Sequence, residues 1–206
     1  MNCLHCGLSS ASFFSHLALF LSKEILSKTI FLFLISGFEE VEALATVDVL
    51  RRAGLNVKTV SLTGDAAVVG SHGIPVVADM LFNQVSLDNA ELLVLPGGTT
   101  AFNEHEGVKK LIKDFYDAGE KVAAICASPM VFGGLGILQG RKATCYPGFE
   151  KYLTGALVQE GEPVVVDGNV ITGRGPGLTL LFALKLVELL AGKEQSDAVA
   201  SQMLIK

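Results

Sequence analysis

Tryptophan is absent from this chain of 206 residues, and cysteine and proline are scarce, at four and six. The four cysteines do not suggest a disulfide framework, because Cys126 and Cys145 lie in the body of the chain while Cys3 and Cys6 sit at its start. A reducing, cytoplasmic setting is expected. A strong excess of charge is missing too: the net charge is −5 with no long basic run, which makes nucleic acid and anionic membrane poor partners. No uninterrupted apolar stretch approaches the roughly 20 residues that span a bilayer, and Leu178–Ala191 is broken by Lys185 and Glu188. Half of the composition is nonetheless hydrophobic. Strands buried on both faces of a sheet account for that, and the length suits one well-formed domain better than two.

The first 27 residues look foreign to the rest of the chain. They read as an atypical extension, from a mis-assigned translation start or a floppy, disordered segment, ahead of a domain over residues 28–206. A secretory signal fits less well: no Lys or Arg precedes the apolar Phe13–Leu21, and no small-residue cleavage site comes after it. Cys3-x-x-Cys6, with His5 between, has the form of a zinc half-site but lacks a second pair at usable spacing, so no metal is expected.

From Lys28 onward, strands and helices alternate. Thr29–Ile35 reads as a strand and Glu39–Ala53 as a helix, with Val41, Leu44, Ala45, Val47 and Leu50 near the helical period, stopped by Gly54. Asn56–Leu62 is a second strand, Ala66–Ala78 an irregular hairpin and Glu91–Leu95 a third core strand. A helix over Glu106–Ala118 leads to a strand ending at Cys126, with a helix behind it. Extended pieces come next at Lys142–Cys145, Pro163–Asp167 and Asn169–Thr172, before a closing helix over Gly177–Leu190 and a short one over Ser196–Leu204. This rhythm implies an α/β sandwich on a mainly parallel sheet, with ligands beyond the carboxyl ends of the strands. Three signals fall at such ends: Gly37-Phe-Glu-Glu40 with Glu42, Pro96-Gly97-Gly98, and Cys126.

The segment Lys121-Val-Ala-Ala-Ile-Cys126-Ala-Ser-Pro-Met130 has the form of a nucleophile elbow. An apolar strand stops at one reactive side chain, small residues let amides approach a ligand, and Pro129 suits a first helical turn. A thiol at a helix N-terminus is expected to ionise readily. The competing reading is a buried core cysteine.

Gly37-Phe-Glu-Glu-Val-Glu42, Val47-Asp-Val-Leu-Arg-Arg-Ala-Gly54, Leu95-Pro-Gly-Gly98, Ala123-Ala-Ile-Cys-Ala127 and Arg174-Gly-Pro-Gly177 occur in that order. With them the chain, from about Lys28 to Ile205, resembles the ThiJ/PfpI superfamily, in the branch of the human Parkinson-disease-associated protein (DJ-one). The resemblance implies a flavodoxin-like three-layer sandwich and a homodimer, with Cys126 as an oxidation-sensitive nucleophile and Glu42 as the carboxyl that hydrogen-bonds to it. It implies that the amides of Gly98 and Ala127 form an oxyanion site and that Gly97, Tyr146, Arg174 and His72 line or rim the pocket. A turn before the closing helix is the other reading of Arg174, and a surface histidine the other reading of His72. A carboxyl beside a thiolate agrees with shared-proton chemistry, because two adjacent charges are costly.

Two positions depart from the family pattern. Tyr146 stands where many relatives place a histidine near the thiol, and Ala127 stands where the protease-like branch has one. Without a Cys–His dyad, peptide hydrolysis is disfavoured. Cys145 reads as a small buried residue rather than a resolving thiol. The leading expectation is a cysteine-dependent enzyme, with no cofactor, acting on small reactive carbonyls: an α-oxoaldehyde or a glycated adduct, in the manner of a glyoxalase III or a deglycase. The alternative is a redox-sensing stress protein or chaperone that uses oxidation of Cys126, with an intracellular amidase or peptidase behind both.

Overall fold

In the computed structural model, which describes residues 28–205, the apolar strand runs sort their side chains alternately to two sides of one sheet. Strand β1 (Thr29–Leu34) sends Ile30, Leu32 and Leu34 into one core and Phe31 and Phe33 into the other. Strand β6 (Ala90–Leu95) divides Leu92 and Val94 from Leu93 and Leu95, and β7 (Lys121–Ile125) divides Ala123 and Ile125 from Val122 and Ala124. Burial on both faces is the reason these strands read as continuous hydrophobic runs.

The sheet has seven strands in the order β10-β11-β7-β6-β1-β2-β5. Here β2 is Asn56–Ser61, β5 is Met80–Leu81, β10 is Val164–Asp167 and β11 is Val170–Gly173. All neighbours pair in parallel except β10 with β11. Helices α1 (Glu40–Arg52), α4 (Thr179–Ala191) and α5 (Lys193–Gln202) supply one core; α2 (Glu106–Asp117) and α3 (Pro129–Gly134) supply the other. The result is the expected three-layer, flavodoxin-like sandwich. From β1 the chain moves outward to β2, then returns to β6 on the opposite side of β1. That reversal makes a topological switch point beside the carboxyl ends of β1 and β6.

Several elements differ from the sequence reading. Strand β5, a two-residue edge, was not expected, because Met80-Leu81 is too short to show a period. A small parallel pair, β8 (Lys142–Ala143) with β9 (Leu157–Val158), lies outside the main sheet. Helix α5 begins at Lys193, three residues before the expected Ser196. The larger correction is the rotation of α1. Its buried face carries Glu40, Glu42, Ala43, Thr46, Val47, Val49 and Leu50, while the expected core residues Val41 and Leu44 are 53% and 39% exposed. Val47 and Leu50 are buried as the hydrophobic period expected, but at the start of the helix two carboxyls and a hydroxyl occupy the inward side in place of Val41 and Leu44. The expectations for residues 1–27, including the Cys3/His5/Cys6 cluster, lie outside the described residues.

The irregular hairpin, β3 (Ala67–Val69) with β4 (Pro75–Val77), docks on the start of α1. Gly37 donates its amide to Val69 and Ser71 donates to Phe38. The Glu40 carboxylate holds the tip, accepting from the His72 amide at 2.7 Å and from Ser71 Oγ at 3.1 Å, with His72 Nδ1 2.7 Å from Oε2. Burial works to raise the Glu40 pKa, but the hydrogen bonds from His72 and Ser71 outweigh it and bring it from 4.5 down to about 2. The same carboxylate raises the pKa of the exposed His72. Ionised Glu40 therefore contributes stability that is complete above about pH 4.5 and disappears as pH falls toward about 2. Protonated His72 contributes below its ordinary value near 6.5, and that part fades as pH rises through its raised folded value. Urea unfolding of Glu40→Gln against the wild type should show a deficit at pH 6 that closes on acidification through that window. Equal stability at pH 6 would contradict the pairing.

Candidate active site

Strand β7 ends one residue before Cys126, which sits in the left-handed region at φ 65°. Only one other non-glycine among the described residues, Leu204, has positive φ. A side chain that must turn out of a strand into a tight bend adopts this backbone at a cost of order 1–3 kcal/mol, and the surroundings hold it there. The Cys126 amide donates to Gly173 of β11 at 3.0 Å, and its carbonyl accepts from the Tyr146 amide at 2.9 Å. Ser128 Oγ donates to the Pro96 carbonyl at 2.5 Å, tying the elbow to the end of β6.

Beside the thiol lies Glu42, on the first turn of α1 and 0% exposed. Its Oε2 accepts the Gly97 amide at 2.7 Å. Its Oε1 has no hydrogen-bond partner among the described residues, while the carboxyl as a whole interacts with the Cys126 thiol. Gly97 can be nothing larger, since a Cβ there would come within 2.6 Å of Cys126 Cβ and 2.7 Å of Glu42 Oε2. Gly98 adopts φ +90°, packed on the backbone of Gly37–Glu39. That conformation turns the Gly98 amide to the sulfur, where the Ala127 amide joins it.

The ready ionisation expected of Cys126 is not what its surroundings produce. Burial pushes the thiol up to about 12, with the charge of Glu42 and its hydrogen bond adding to the rise, while the Ala127 and Gly98 amides work the other way. Helix α3 is only six residues long, so its terminus is no match for those effects. Burial, in turn, pushes Glu42 up to about 7 against the lowering effect of the Gly97 amide. Two groups that each resist ionising keep a proton between them. The repulsion that holds the thiol up exists only while Glu42 is charged; a Glu42 that keeps the proton donates it toward the sulfur instead.

The thiol opens into a pocket of about 490 Å³ lined by Gly98, Thr99, Thr100, Cys126, Ala127, Tyr146 and Phe149. Of the residues singled out in the sequence, Cys126, Glu42, Gly97, Gly98, Ala127 and Tyr146 converge here, with Gly97 beneath the floor. Arg174 does not line this pocket. It comes directly after β11 and faces a neighbouring cleft of about 390 Å³ with Thr144, Cys145 and Glu160, because Tyr146 packs against Gly175 and stands on the thiol side. His72 is not in the lining either; its bonds to Glu40 hold it at the exposed hairpin tip. Cys145 is buried, as expected, and burial raises its thiol to about 12. Sequence reasoning missed Thr99, Thr100 and Phe149. The two threonines directly succeed the Gly97-Gly98 turn and were legible from it, whereas nothing local marks Phe149.

The sequence matches the DJ-1/PfpI family over residues 28–189. It is 39% identical over 184 residues to protein dj-1beta of Drosophila melanogaster, covering 87% of this chain and 98% of that one. DJ-1 homolog B of Arabidopsis thaliana is 37% identical over 82% of this chain, which spans 40% of that longer protein. A protein of Pyrococcus abyssi named a deglycase is 33% identical over 74% of this chain and 93% of its own length. The crystal structure of Drosophila DJ-1beta superposes with a TM-score of 0.84 at 38% identity, covering 87% of this chain and 99% of the other. Fold, motif order and similarity along most of the chain agree, and the chain belongs to the DJ-1/PfpI family.

Proposed function

We propose that the chain is a cysteine-dependent enzyme of small reactive carbonyls, converting an α-oxoaldehyde or its adduct on an amine into a 2-hydroxy acid without a cofactor. The observation that carries the reading is the left-handed Cys126 with two backbone amides on its sulfur and a buried, proton-holding Glu42 at its side. The deglycase name of the Pyrococcus relative supports the substrate class. The absence of a histidine at 127 and 146 weighs against peptide hydrolysis.

In this reading Cys126 Sγ, ionised while Glu42 holds the proton, adds to the aldehyde carbon. The S–C bond forms and the carbonyl electron pair moves to oxygen. The Gly98 and Ala127 amides stabilise that oxyanion, a task for fixed backbone donors in a site screened from water. Glu42 protonates the oxygen and, now a carboxylate, removes the hydrogen from the same carbon. The resulting enediolate takes that proton back at the neighbouring carbon while the hydroxyl proton passes to the neighbouring oxygen, leaving a thioester of the hydroxy acid. Water cleaves it and restores the thiol. One carbon is oxidised and its neighbour reduced, so no outside oxidant enters. A carboxyl pushed to about 7 suits both roles of Glu42 near neutral pH. The amides on the sulfur also favour the second reading, oxidation of Cys126 to a sulfinate whose oxygens they would hold.

Lactate formation from methylglyoxal should be abolished by Cys126→Ser and reduced roughly 10²–10⁴-fold by Glu42→Gln, which keeps the shape but cannot carry the proton. Full activity in Glu42→Gln would remove Glu42 from the chemistry. A wild type that forms no lactate but yields sulfinate with peroxide would replace this function with the redox one.

A homodimer and a cytoplasmic setting belong to the same proposal. Supporting the dimer, Val41 and Leu44 of α1 and Ile74 and Val77 of the adjoining hairpin are exposed, Val77 at 74%. No helix among the described residues is long and apolar enough to cross a membrane. Sedimentation equilibrium should return twice the chain mass, and a chain that stays single at micromolar concentration would refute the dimer.

A further inference from the structure

Two buried side-chain oxygens among the described residues have no hydrogen-bond partner: Glu42 Oε1 and Thr46 Oγ1. They belong to residues one helical turn apart on the inward face of α1, both 0% exposed. Helical side chains lean toward the N-terminus, which tilts Thr46 toward the turn that bears Glu42. A helical threonine commonly satisfies its hydroxyl on a carbonyl one turn back, and Thr46 does not. Valine has the same shape and would sit in an apolar core without the cost of an unpaired hydroxyl. The hydroxyl and the carboxyl oxygen are therefore each other's unmet need.

We propose that Thr46 is a positioning residue for the Glu42 proton: its hydroxyl, by side-chain rotation or across one internal water, donates to Oε1 once the carboxyl has given its proton up. Oε2 accepts the Gly97 amide and Oε1 has no partner, so Oε1 is the oxygen left uncompensated when the carboxyl is charged. While the carboxyl carries the proton, it donates to the thiolate. When the proton passes to sulfur or substrate, the carboxylate loses that interaction, and a hydrogen bond from Thr46 to Oε1 compensates its charge. The titratable groups acting on Glu42 are Cys126, from the end of β7, and Glu39, from the residue capping α1. On the elements packed against α1, His72 is engaged by Glu40, and Lys185 of α4 pairs with Glu188. Among the described residues, Thr46 is thus the available uncharged partner within α1. Its effect on catalysis rests on the carbonyl chemistry of the proposed function; its effect on the thiol does not.

The test compares wild type, Thr46→Val and Thr46→Ser as full chains, with urea unfolding as the check of folding and Thr46→Ala in reserve if Val does not fold. Loss of the hydroxyl destabilises the form with charged Glu42 and shifts the shared proton onto it, leaving more thiolate. At about pH 8, Thr46→Val should alkylate at Cys126 with iodoacetamide roughly ten- to hundredfold faster, the size expected for losing one hydrogen bond to a charged group. Lactate formation should slow by a similar factor, because the carboxylate base becomes scarcer. Thr46→Ser should return both rates to the wild-type values, which a packing defect that merely loosened the elbow would not do. Unchanged alkylation in Val, or a Ser variant that behaves as Val, overturns the proposal. If the wild type forms no lactate, the carbonyl reading falls and the alkylation series alone decides the role of Thr46.

Discussion

Everything at this site depends on one carboxyl group placed where water cannot reach it. Glu42 is fully buried, with one oxygen on a backbone amide, the other without a partner among the described residues, and the carboxyl beside a thiol. Charging a buried carboxyl is costly unless donors compensate, and a neighbouring thiolate makes it costlier. The surrounding geometry obeys that constraint. Gly97 lacks a side chain because the carboxyl and the cysteine fill the space where its Cβ would stand. Helix α1 gives up apolar burial at Val41 and Leu44 to turn Glu42 inward. The sheet brings its contributors together at a topological switch point, where strand ends leave amides free.

The elbow shows how the fold holds a strained backbone in place. A left-handed cysteine is unfavourable alone, yet its amide is fixed by β11, its carbonyl by Tyr146 and the next serine by Pro96. Three separate segments over-determine one residue. The Gly98 and Ala127 amides are directed at the sulfur. Tyr146 has a double place in this arrangement. Its backbone steadies the elbow, while its side chain lines the thiol pocket and packs against Gly175, next to Arg174.

How much of this was legible in the sequence depended on how local the determinant was. The strands carrying Leu32, Leu93 and Ala123 were readable because double-sided burial leaves an unbroken apolar run. Cys126 and Gly97-Gly98 were readable because a strand end leading into small residues is itself the signal. The face of α1 was not, since the reason to bury Glu42 and Thr46 lies on Gly97 and Cys126, far along the chain. The thiol's resistance to ionisation was hidden for the same cause: a local helix terminus suggested one direction, and a distant carboxyl with burial set the other. His72 carried two readings, pocket rim or surface, and Glu40 bonds the hairpin tip and keeps it at the surface. Arg174 belongs to a motif that led to the correct region, and it fell on the far side of Tyr146.

Cys126 and Glu42 are held to titrate as one unit that keeps a proton across the neutral range. Carbon-13 chemical shifts of the Cys126 Cβ and the Glu42 Cδ, recorded against pH in the intact protein, read that coupling without an assay of turnover. Shared titration moves both resonances through the same two steps, with the carboxyl still substantially protonated near pH 7. A Glu42 carbon that titrates in a single step near the ordinary value of 4.5, with no matching movement at Cys126, would show that the two groups ionise independently.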